Sequence, residues 1–94
     1  MATRQSVENF LQECEDTIRY AHEQITTGRQ QEHYNITEYT DALKQIEEKT
    51  NDLAHLALSC NGQQREQLHR MRLQLQQLQN DLILDENVIQ EYKS

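Results

Sequence analysis

The sequence predicts an all-α protein, a three-helix antiparallel up-down bundle with coiled-coil-like packing. Three observations carry this. The 94 residues include no proline and only two glycines. Both glycines, Gly28 and Gly62, fall where a helical pattern breaks. Within each run, apolar residues recur at alternating spacings of 3 and 4, as on a helix face that packs along a seam.

The first helix is predicted over about 6–27. Its seam is Val7, Leu11, Cys14, Ile18, Ala21 and Ile25, with Phe10 beside it. Ser6 suits the N-cap, because its hydroxyl can accept from an orphan backbone N–H. Glu8 places an anion in the first turn, where the helix dipole favours it. Gly28 suits the left-handed residue that ends helices.

The second helix runs to Cys60 and begins near 30 or at 36. Asn35 with Glu38 reads as a capping box, and Tyr34 with Tyr39 occupies the staple positions. Arg29 to Glu32 are nonetheless good helix formers, so residues 28–35 suit loop or helix. The seam is Ile36, Tyr39, Leu43, Ile46, Thr50, Leu53, Ala57 and Cys60. Asn61-Gly62 is the stronger stop.

The third helix is predicted over 63–91, on Leu68, Met71, Leu75, Leu78 and Leu82. Asp85 interrupts this seam, and Ile89 and Tyr92 resume it. Short connections fold three helices back on one another as one helical domain over residues 1–94. The alternative is a long-helix hairpin dimer. An interior glycine costs a helix only about 1 kcal/mol, so one helix could run on through Gly28 and need a second chain to cover it.

Composition narrows the function. Hydrophobic residues are 35% of the chain, enough for narrow stripes between helices but little more. The net charge of −7 argues against nucleic acid and against an anionic membrane as partners. Residues 63–78 depart from this, with Arg65, Arg70 and Arg72 against Glu66 alone. The polar N-terminus and the lack of a long apolar run point to the cytoplasm. There, Cys14 and Cys60 are expected as thiols. In an antiparallel pair they would stand roughly 18 Å apart, too far for a disulfide. Asn35-Ile36-Thr37 matches a glycosylation sequon, meaningful only in a secreted chain.

No catalytic, cofactor-binding or metal-binding residue is expected. The carboxylates interleave with polar residues, as on solvated faces, and none has the apolar setting that tunes acid–base chemistry. Two glycines leave no phosphate loop or nucleophile elbow. Among His22, His33, His55 and His69, no two are close in sequence. Asp52 and His55 have metal-ligand spacing but point outward.

A partner-binding face is the one candidate site. Arg65, His69 and Arg72 recur along one helix face, suited to an acidic partner or to phosphate. Leu58 and Leu73 fall on the outer side of the seam frame, where an apolar strip marks a partner or dimer surface. The bland counterparts are pairing of the arginines with acids on the first helix or on a symmetry mate, and a shift in helical phase.

Met1-Ala-Thr-Arg-Gln-Ser-Val, Glu32-His-Tyr-Asn-Ile-Thr-Glu-Tyr-Thr40, Asn51-Asp-Leu-Ala-His-Leu56 and Gln63-Gln-Arg-Glu-Gln-Leu-His-Arg-Met-Arg-Leu73 add a resemblance. Together they resemble the YtzC-like family of small cytoplasmic proteins from Bacillus-type bacteria. The likeness spans most of the chain. It implies the helical class and the compartment, and it transfers no site.

The sequence thus reads as a non-catalytic helical protein–protein interaction module. Its partner is a protein, itself included as a homodimer, with no nucleic acid and no membrane. The alternative is a small metal- or phosphate-ligand-responsive regulatory protein.

Overall fold

The computed structural model contains α1 (Arg4–Gln31), α2 (Ile36–Ala57) and α3 (Gly62–Lys93). It describes residues 3–31 and 36–93, with side-chain placement for 3–27 and 38–83. Each helix packs on both others, so the fold is an all-α three-helix bundle. Cross-helix pairs fix the directions. Tyr20 meets Asp41 and Glu13 meets Lys49, so α2 runs antiparallel to α1. Arg65 meets Ala57 and Tyr39 meets Leu82, so α3 runs antiparallel to α2. The bundle measures 49 × 18 × 17 Å, the length expected of a 32-residue helix at about 1.5 Å per residue.

The first cap is Thr3, not Ser6. Thr3 Oγ1 accepts from the Ser6 N–H at 3.0 Å, and Ser6 Oγ accepts from the Thr3 N–H at 3.0 Å. This reciprocal box starts α1 three residues before Ser6. Gly28 does not end the helix. The chain stays helical through Gln31, so Arg29 and the two glutamines extend α1 instead of opening α2. Tolerating one interior glycine costs about 1 kcal/mol, which packing of a long amphipathic face offsets. Helix α2 begins at Ile36 and runs back along α1, so the chain is not one helix through residue 60. Asn35 and Tyr34 lie outside the described residues, although α2 starts directly after Asn35.

The second connection is a tight winding. The N–H groups of Leu58, Ser59 and Cys60 donate to the carbonyls three residues back. Helix α2 therefore ends at Ala57, before Cys60. Asn61 then caps α3. Its Oδ1 accepts from the Gln64 N–H at 2.8 Å, and Gln64 Oε1 accepts from the Asn61 N–H at 3.1 Å. Gly62 is the first residue of α3 and is not left-handed.

The core runs the length of the bundle. From α3 it takes Leu68, Met71, Leu75, Leu78 and Leu82, all five residues of the uninterrupted seam. From α2 it takes Tyr39, Ala42, Ile46 and Leu53, with Cys60 from the turn, while Leu43 and Ala57 are half-buried. In α1 the buried line is Val7, Phe10, Cys14, Thr17, Ala21 and Ile25. Leu11 and Ile18 move to its edge. A helix facing two neighbours buries the line between them most deeply, and that line passes through Phe10 and Thr17.

Candidate partner-binding face

Of the five residues read as a partner face, Arg65, His69, Arg72 and Leu73 stand exposed on α3. Arg65 is tied to the end of α2, its Nε donating to the Ala57 carbonyl at 3.2 Å. That carbonyl also accepts from the Cys60 N–H, so Arg65 adds a second bond to the C-terminal end of α2. Leu58 stands in the α2–α3 turn and is 78% exposed. His69 and Arg72 are exposed and take part in none of the described ion pairs. Arg70 pairs with Glu66 on its own helix at 3.0 Å, so the described pairing of this basic stretch is local, not with α1.

Leu73 is 53% exposed and stands one turn on from His69 along α3. It stands on the rim of a groove between α1 and α3. Ile18 and His22 line the α1 side; Gln74, Gln77 and Leu78 line the α3 side, with Asp81 toward one end. The floor is apolar, from half-buried Ile18 and buried Leu78, and the rim is polar. The spacing of Ile18 and His22, beside Leu73 and Gln77 on α3, holds the sequence signal for this groove. It is hidden because Ile18 fits a core seam equally well.

The opposite interface, between α1 and α2, is closed. Glu13 meets the Lys49 ammonium at 3.6 Å, and that ammonium lies 5.8 Å from the centre of the Phe10 ring. Tyr20 donates its hydroxyl to Asp41 at 3.4 Å. Its phenol is pushed above the ordinary value by desolvation and by the negative charges of Asp41 and Glu38.

Cys14 and Cys60 are free, buried thiols. Burial pushes the Cys14 thiol up to about 11, against the opposing pull of the Lys49 ammonium. A neutral buried thiol packs as a small hydrophobe and is a poor nucleophile. Asp52 and His55 both face solvent. Among the described residues, no three His, Cys, Asp or Glu side chains are grouped to hold a metal ion. No helix among the described residues is long and apolar enough to cross a membrane.

No solved structure matches the chain. A relative from Bacillus subtilis (strain 168), described as "Uncharacterized protein YtzC", is 58% identical over 84 residues, covering 89% of this chain and 93% of the relative. The model of a protein family of unknown function, DUF2524, matches residues 1–84, a span that takes in the groove and both capping boxes. The chain belongs to the DUF2524 family.

Proposed function

We propose that the protein is a non-catalytic interaction module that binds a protein partner through the α1–α3 groove. Leu73 carries this reading. A half-exposed leucine on the rim of an apolar-floored groove, amid glutamines and charges, has the make-up of a docking surface. The protein works in the cytoplasm, a reading that two free thiols support.

The test places a photo-crosslinking residue at Gln77 and irradiates living cells. Discrete protein adducts should form, and Leu73→Asp in the same chain should abolish them. Absence of adducts, or adducts indifferent to Leu73→Asp, would overturn the reading.

A further inference from the structure

The α3 stripe that borders the groove carries charges of both signs in an order that fits its own reverse. Gln74, Gln77 and Asp81 line it from α3, and Arg70 precedes them on the same helical stripe at spacings of 4, 3 and 4. Consider a second α3 laid antiparallel, with the two-fold axis midway between Gln74 and Gln77. Arg70 of each copy then meets Asp81 of the other. Gln74 of each copy faces Gln77 of the other, and the two Leu73 side chains fall on one flank of the helix pair.

We propose that the α1–α3 groove is the docking surface for a second copy of this chain, paired antiparallel through α3 about that axis. The proposal rests on reading the groove as a partner-binding face and names its occupant. A two-fold interface must be self-complementary, and here Arg70 meets Asp81 and Gln74 meets Gln77. A parallel arrangement would set Arg70 on Arg70 and Asp81 on Asp81. The Arg70–Glu66 pair within each chain is no obstacle, because both side chains are solvent-exposed and such a pair is weak.

Sedimentation of the full chain across a micromolar concentration series tests this. The parent should associate to about twice 11.2 kDa. Arg70→Asp and Asp81→Arg should each weaken the dimer by roughly tenfold or more, since each sets like charges together. Mixing the two variants should restore association, because the heterodimer pairs every charge with its opposite. Circular dichroism would verify that each variant is folded. A parent monomeric throughout, or a mixture no tighter than its components, would overturn the proposal. Gln77 crosslinks separate this from the broader reading. Adducts only to other proteins would reject self-pairing and leave the interaction role standing, whereas no adducts would reject both.

Discussion

The Tyr39 hydroxyl donates to the main-chain carbonyl of Leu82, buried between the start of α2 and the far part of α3. The two residues are 43 apart in sequence, so this bond locks the register of α2 against α3. It forms at the bundle end that holds the first chain reversal. Tyr39→Phe keeps the ring in the core and removes the donor. The expected loss is about 1 kcal/mol, the usual net worth of one hydrogen bond. Tyr39→Ala should lose about 3–5 kcal/mol by emptying the ring volume as well. Urea unfolding followed by circular dichroism reads both. Equal losses for the two variants would contradict the assignment.

The second reversal yields a prediction of opposite sign. Gly62 needs no left-handed backbone, and a Cβ placed there meets nothing within 4 Å. Gly62→Ala should therefore stabilise the protein by about 0.5 kcal/mol, through a less flexible unfolded chain and better helix propensity. Asn61→Ala should cost about 1 kcal/mol, because the Gln64 N–H loses its acceptor. Thermal melts would reveal the opposite signs. Destabilisation by Gly62→Ala would mean that the turn needs glycine after all.

How much of this was legible in the sequence depends on what each residue does. The α3 seam was fully legible from Leu68 to Leu82, because large apolar residues at helical spacing have no better place than a core. The Asn61-Gly62 break was legible as a boundary, but its mechanism was not. The pair looked like a helix stop, whereas Asn61 is a helix start. Gly28 misled because a glycine is only weakly unfavourable in a helix, and packing along α1 outweighs it. The groove was legible only in fragments. Leu73 was marked as outward-facing, but the groove beside it depends on which α1 residues lie opposite, and no single-helix pattern contains that. Arg65 drew notice as part of a basic stripe, while its observed partner is a carbonyl on another helix.

Thr17 is the core residue that apolar periodicity passed over. It is buried, and its hydroxyl donates to the Glu13 carbonyl one turn back at 3.0 Å. That carbonyl already belongs to the helix, so the bond satisfies the hydroxyl more than it stabilises the fold. Thr17→Val keeps the shape and removes the polar atom. Its effect should stay within about 1 kcal/mol of zero, with stabilisation the expected sign. Thr17→Asp should unfold the bundle or cost several kcal/mol, because an unpaired carboxylate would enter the core. Chemical denaturation would show whether Val is tolerated where Asp is not.

Cys14 sets the behaviour of the bundle in alkali. The ordinary thiol value is 9.0, and burial raises Cys14 to about 11 in the folded protein. Between these values the unfolded chain has released its thiol proton while the folded chain still holds it. The folded state then binds more protons, so stability falls as pH rises. The contribution of Cys14 is intact below pH 9.0 and is lost progressively toward pH 11. The slope in that window should approach about 1.4 kcal/mol per pH unit beyond the background. Melting curves of the parent and Cys14→Ala should therefore converge as pH rises from 9.0 to about 11. Thiol-reactive reagents at neutral pH should modify Cys14 only as fast as the bundle opens, and denaturant should accelerate the labelling. A parallel pH dependence in the two proteins, or rapid Cys14 labelling under native conditions, would show that the thiol is not held in the dry core.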